Sequence, residues 1–166
     1  TKEYRFLKKF GDKCLSPKVY ELDDCNIEGK TFYFFIMEYI EGFTLKEAIK
    51  HRKLSLRDKV SIVRIIASML KQINSEGYVY TDLKHENIMI DKSNGLIRLI
   101  DLGSIVRMGD AVKEYTAMYD RKSWGMGTRV ADTSYQMFTI MILFITLLLG
   151  NDIEPGKDRL EDISKK

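Results

Sequence analysis

The sequence predicts an α+β fold, mostly helical, with small antiparallel strand pairs in place of one large sheet. Three observations carry that expectation. From Leu56 to about Glu76, apolar residues recur at spacings of three and four, the period of a helix buried on one face. Met137 to Leu149 is almost wholly apolar. The aromatic and β-branched stretches Val19 to Leu22 and Thr31 to Tyr39, and the shorter runs Ile88 to Ile90 and Leu96 to Ile100, come as neighbouring pairs joined by polar segments. At 166 residues, 45% hydrophobic and 31% charged, the chain has the size and composition to bury a core.

Each element has its own signal. Glu3 to Phe10 forms a short amphipathic segment with Phe6, Leu7 and Phe10 on one side, and Gly11 and Pro17 bracket the turn after it. The stretch from Asp23 to Lys30 separates the first two strands. For the long helix, Ser55 with Asp58 three residues on is a capping box, and Gly77 supplies the stop. Leu56, Val60, Val63, Ala67, Leu70 and Ile73 mark its buried face. Asn94-Gly95, between the two short apolar runs, favours the positive φ of a hairpin turn. Met137 to Leu149 is short of the roughly 20 residues that a bilayer needs, so it reads as a core helix.

Composition excludes several classes of function. Two Pro and eleven Gly rule out a collagen-like or Pro-rich architecture, and a net charge of +3 is too small to imply nucleic-acid binding by itself. Cys14 and Cys25 make neither a CxxC pair nor a disulfide framework, which points to a reducing, cytoplasmic setting without a zinc site. The chain begins at Thr1 with no apolar signal segment, so it is expected to be a piece of a longer protein. Lys165-Lys166 reads as a solvated end or as the approach to a membrane anchor. His51 and His85 are expected at the surface.

The chemically informative stretch is Tyr80-Thr81-Asp82-Leu83-Lys84-His85-Glu86-Asn87, followed after the hairpin by Asp101-Leu102-Gly103. In an antiparallel hairpin, the residue entering the first strand lies beside the residue leaving the second. Asn87 and Asp101 hold those positions, so an amide oxygen and a carboxylate converge at one end. Such oxygen ligands suit Mg²⁺, which keeps waters and recruits substrate phosphates. Asp82 and Lys84, on the loop leading to the same end, add a base and a cation. Gly103 would let the chain turn sharply after Asp101. Singly, each of these is an ordinary polar residue at a turn; together they describe a phosphate-handling site.

These two segments resemble the catalytic loop and the metal-binding triplet of the protein kinase family, HRDLKxxN and DFG. The resemblance implies that Asp82 orients the substrate hydroxyl, that Lys84 contacts the transferred phosphate, and that Asn87 and Asp101 hold Mg²⁺ (or Mn²⁺) with ATP as cosubstrate. Phe35 to Gly42 looks like the family's fifth strand and hinge. Backbone groups of Glu38 and Ile40 would then face adenine, with Met37 as gatekeeper and Met89 lining the base pocket from below. Glu3 is placed like the helix Glu that pairs with the ATP-anchoring Lys. The segment from Gly109 to Asp132 is similar to the activation segment of small bacterial Ser/Thr kinases associated with spore formation.

The departures are as informative. Tyr80 and Thr81 stand for His and Arg, Leu102 for Phe, and Gln136 for the Asp that braces the catalytic loop. The closing Ala-Pro-Glu is missing, its place taken by something like Ala131-Asp132-Thr133. Thr128 either meets Asp82, as the family's docking-loop Thr does, or is a plain turn residue. No G-x-G-x-x-G occurs, and no strand Lys precedes Glu3.

The resemblance therefore implies a kinase-like fold divided into a small-lobe remnant at residues 1–39 and an incomplete large lobe at 40–166. The parent would be a Ser/Thr protein kinase, Lys84 favouring Ser/Thr over Tyr, and this piece would be inactive by itself. A pseudokinase scaffold and a small-molecule phosphotransferase are the alternatives. Expected partners are ATP, protein substrates and a second copy paired through the open sheet edge.

Overall fold

The computed structural model describes residues 2–51 and 54–163. Lys165-Lys166 lies outside them. Helix α1 (Lys2–Gly11) buries Leu7 and Phe10 on the face anticipated for it. Strands β1 (Val19–Ile27) and β2 (Lys30–Met37) then form a separate antiparallel hairpin with Ile27 opposite Lys30. The first strand is longer than its apolar part. Asp23 to Ile27, expected as a connection, is strand, because Glu28 and Gly29 both adopt positive φ (52° and 77°). That two-residue turn matches the twist of the flanking strands, so pairing runs to the tip.

Strand β3 (Gly42–Thr44) and helix α2 (Leu45–His51) escaped the apolar pattern. Their signal was Thr44-Leu45-Lys46-Glu47. The Thr44 amide donates to the Glu47 carboxylate at 2.7 Å, and the Glu47 amide donates back to the Thr44 hydroxyl at 3.2 Å. That reciprocal pair is a capping box. Helix α3 (Leu56–Ser75) begins at the Ser55/Asp58 box that was expected. Its buried face is shifted, however, to Ile62, Ile66, Met69, Leu70 and Ile73. Leu56 and Val60 are exposed and Val63 and Ala67 half-buried, since both phases satisfy a three/four spacing and packing against the later helix selects one.

Strands β4 (Tyr78–Tyr80), β5 (Ile88–Asp91), β6 (Ile97–Leu99) and β7 (Ile105–Arg107) complete two small antiparallel sheets, β3-β5-β6 and β4-β7. Gly42 is required where β3 meets β5, for a Cβ there would collide with the Ile90 carbonyl. In the turn before β6, Gly95 takes the positive φ (73°), whereas Asn94 does not; its amide caps the Asp91 carboxylate instead. Helix α4 (Thr133–Leu149) starts four residues before the apolar run. Its first turn is capped by Asp132, which accepts from the Tyr135 amide, and Gly150 ends it at φ 75°. The short helix α5 (Leu160–Ile163) follows. Among the described residues no helix is long and apolar enough to cross a membrane.

One core joins α1, α2, α3, α4 and both small sheets through Leu7, Phe10, Leu45, Ile66, Leu70, Ile88, Leu99 and Leu143. Two consequences bear on function. α1 rests on the turn Leu102–Ser104, which brings Glu3 toward Asp101. β4 and β7 carry the residues that flank the loop between them.

Candidate active site

The site is built from neutral hydrogen bonds first. β4 ends in Tyr80, fully buried, whose hydroxyl donates to the carbonyls of Ile100 (3.0 Å) and Asp101 (3.2 Å). Burial pushes that hydroxyl well above its ordinary pKa, so it stays protonated as a donor. Thr81, also buried, donates to the carbonyls of Ser104 (2.8 Å) and Glu114 (3.2 Å). The Asp82 amide donates to the Ser104 hydroxyl at 3.2 Å. The loop is thereby fixed at three successive residues, by Tyr80 to Ile100 and Asp101 and by Thr81 and the Asp82 amide to Ser104.

Asp82 itself is held from two sides. Lys84 Nζ donates to Oδ2 at 2.6 Å and Thr116 Oγ1 to Oδ1 at 2.8 Å. Thr116, not Thr128, therefore contacts this carboxylate; Thr128 is exposed and its carbonyl accepts from Arg121 Nε at 2.6 Å. The Asn87 amide group donates to the Asp82 carbonyl at 3.1 Å, and its backbone carbonyl accepts from the Ile100 amide at 2.9 Å. Because Ile88 pairs with Leu99, Asn87 and Asp101 do sit at one end of the β5-β6 hairpin. Asp101 is left-handed (φ 60°, ψ 68°). The sharp turn is thus made by Asp101 itself and not by Gly103, whose Cβ would meet Asp101 Oδ1 at 3.4 Å.

Glu3 completes the acidic end. Its carboxyl is raised above the ordinary value, first by burial and then by the Asp101 charge. The Asn87 nitrogen is engaged, which leaves its side-chain oxygen as the ligand atom, next to the exposed Asp101 carboxylate. Hard oxygen donors beside crowded negative charge fit a divalent cation that takes one carboxylate and completes its shell with water and phosphate oxygens.

On the opposite side, Met37 ends β2 and is substantially exposed. The Glu38 amide donates to the Lys18 carbonyl at 2.7 Å, and its carboxylate accepts from the Lys18 amide at 3.0 Å. Ile40 is buried, while Met89 lies half-buried on β5 opposite Thr44 and Arg98.

The segment after Glu114 holds residues that pattern reading missed. Asp120 is fully buried; it pairs with Arg129 at 2.9 Å and accepts from the Ser123 amide and hydroxyl and from the Tyr135 hydroxyl. Arg129 lies 3.8 Å above the Tyr115 ring centroid. Arg121 bonds Asp132 at 3.1 Å, so Asp132 serves α4 and this pair while Asp120 and Arg129 brace the segment internally. The buried Gln136 carboxamide has no hydrogen-bond partner among the described residues. His85, expected at the surface, is only 2% exposed and lies among Tyr119, Glu86 and Asp152; His51 is exposed. A lone polar residue between Lys84 and Glu86 gives no periodic sign of burial.

A loop aspartate gripped by a lysine two residues on, with an Asn and a later Asp at one hairpin end, is the arrangement expected of the kinase class. The family model for the protein kinase domain matches residues 1–166, and the chain belongs to that family. It is 32% identical over 150 residues to the serine/threonine-protein kinase YabT of Bacillus subtilis, covering 87% of this chain and 44% of that protein. It is 24% identical over 144 residues to the serine/threonine-protein kinase sid1 of Schizosaccharomyces pombe, covering 86% of this chain and 30% of the relative. Among solved structures, a chain of the yeast RNA Pol II CTD kinase CTDK-1 complex superposes with a TM-score of 0.75 at 21% identity, over 98% of this chain and 54% of that one. The chain thus spans less than half the length of these two curated relatives.

Proposed function

We propose that this chain is the large-lobe part, with a small-lobe remnant at residues 1–39, of a protein kinase that transfers the γ-phosphoryl of ATP to Ser or Thr hydroxyls. The observation that carries the reading is Asp82, held by Lys84 and Thr116 beside Asn87 and Asp101. In this mechanism Asp82 orients the acceptor hydroxyl and takes its proton, and Lys84 offsets charge on the phosphoryl in flight. Asn87 and Asp101 would hold Mg²⁺ or Mn²⁺, which supplies neutralisation of phosphate charge. Backbone groups of Glu38 and Ile40 would take the adenine edge, between Met37 and Met89. Glu3 would receive a lysine carried by a strand outside this chain. We place the protein in the cytoplasm.

Positioning is most of phosphoryl-transfer catalysis. Without a Gly-rich loop and that lysine, the chain by itself is expected to be inactive and the longer parent active. Both should be incubated with labelled ATP, Mg²⁺ and a basic protein substrate. Robust transfer by the chain alone, or none by the parent, would overturn the proposal; a parent that binds partners without transfer would be a pseudokinase scaffold.

Assembly follows from the hairpin. Tyr33 is 70% exposed, Phe32 49% and Phe34 42%, and unpaired strand edges recruit other chains. The chain is expected to dimerise through β1-β2, which a monomeric mass by light scattering at high concentration would refute.

The Thr81 bonds bear on regulation. An Arg at this position would couple a loop phosphate to the catalytic aspartate, whereas Thr81 reaches Glu114 and Ser104 with no charge involved. Phosphatase treatment of the parent is expected to leave kcat within tenfold. A larger loss, above about 1.4 kcal/mol of transition-state stabilisation, would show that loop phosphate is needed after all.

A further inference from the structure

His85 sits between Lys84 and Asn87, yet its ring points away from both into the protein. It is 2% exposed. Nδ1 lies 2.6 Å from the Tyr119 hydroxyl, and Nε2 lies 3.1 Å from Asp152 Oδ1. The Glu86 carboxylate is 3.2 Å from Nδ1. A carboxylate can only accept, whereas a tyrosine hydroxyl can donate. A neutral imidazole with its proton on Nε2 donates to Asp152 and accepts from Tyr119, while the Glu86 carboxylate takes its donor from Lys46 at 2.7 Å.

These contacts join three segments remote in sequence: the catalytic loop, the turn Ala117–Tyr119, and the loop after α4. The turn matters because it begins at Thr116, whose carbonyl accepts from the Tyr119 amide at 2.9 Å and whose hydroxyl grips Asp82. A closed circuit results. It runs from Asp82 to Thr116, through the turn to Tyr119, across to His85, and back along the chain through Lys84 to Asp82. A cavity of about 450 Å³ opens beside it, lined by His85, Thr116, Tyr119, Asp152 and Ile153.

We propose that His85 is a positioning residue that locks the segment bearing Thr116 against Asp82, so that the surface receiving the protein substrate is formed before substrate arrives. The inference rests on the kinase reading above. It assigns His85 to acceptor binding and not to ATP, because Tyr119 and Asp152 lie on the segments beyond Asp82 and not on the Glu38–Ile40 side.

The test uses the full-length protein with His85→Ala, His85→Gln, Tyr119→Phe and the His85→Ala/Tyr119→Phe double variant. His85→Ala is expected to raise KM for a peptide substrate at least tenfold while KM for ATP moves less than twofold. His85→Gln, which offers one donor and one acceptor, should recover most of the loss. The double variant should be no worse than His85→Ala, since both changes break one link. Parallel shifts in both KM values, or fully additive losses, would overturn the assignment. Hydrogen exchange gives a readout independent of catalysis: amides from 117 to 120 should exchange at least tenfold faster in His85→Ala and near the wild-type rate in His85→Gln. Unchanged exchange would refute the positioning role even if the protein proved to have no kinase activity, whereas faster exchange without phosphoryl transfer would refute only the kinase reading. If His85→Ala does not fold, His85→Gln and Tyr119→Phe decide the matter by the same two measurements.

Discussion

Asp82→Asn in the full-length protein is expected to lower kcat for peptide phosphorylation by about two to four orders of magnitude, the usual worth of a positioned acid–base group. Asn has nearly the same shape and keeps an oxygen to accept from Thr116 or Lys84, both of which now reach the carboxylate. The loop should therefore stay in place. What disappears is the negative charge that draws the acceptor proton. KM for ATP should change little, because in the proposed mechanism Asp82 meets the acceptor hydroxyl and not the nucleotide. Steady-state transfer from labelled ATP measures this, and a variant retaining more than a tenth of wild-type kcat would remove Asp82 from the role of base.

Asp120→Ala should have the largest effect on stability. Its carboxylate is fully buried and serves Arg129, the Ser123 amide and hydroxyl, and the Tyr135 hydroxyl. Truncation leaves the Arg129 guanidinium without its carboxylate and the Ser123 and Tyr135 hydroxyls without their acceptor, while the Ser123 amide keeps the backbone carbonyl of residue 120; removing one partner of a buried pair costs about 3–5 kcal/mol. Urea denaturation should show that loss, and a change under about 1 kcal/mol would mean the segment re-forms without this anchor. The pH dependence has a definite sign. Burial raises the Asp120 carboxyl, but the bonds from Arg129 and Ser123 outweigh it and hold the group below its ordinary value. A group depressed in the folded state stabilises above its unfolded pKa, near 3.9. That contribution fades as pH falls below about 4 and is absent in Asp120→Ala.

Sequence reading reached the elements whose signals are local. The Ser55 box, the Gly77 and Gly95 turns and the apolar run of α4 each depend on residues within a few positions of one another. That Asn87 and Asp101 share one end of the hairpin was legible for the same reason, since strand pairing alone places them there. Contacts between remote segments were not. Nothing near Thr116 in the chain distinguishes it from Thr128, and only the fold decides which hydroxyl meets Asp82. The buried side of α3 was misjudged because two phases fit the same spacing. His85 and Asp120 were missed because a polar residue becomes buried only when distant partners arrive to bond it.

The ties from Tyr80, Thr81 and the Asp82 amide to the stretch from Ile100 to Ser104 are all made between uncharged groups, and most are sealed from water. Dissolved ions weaken attraction between exposed charges, with a screening length near 10 Å at about 0.1 M salt, but they have little purchase on buried dipoles. Ionic strength should therefore alter how quickly charged substrates are drawn to the cleft while the assembled loop stays as it is. A protein built this way keeps its working geometry in concentrated salt, where one relying on an arginine–phosphate clasp at the surface would slacken.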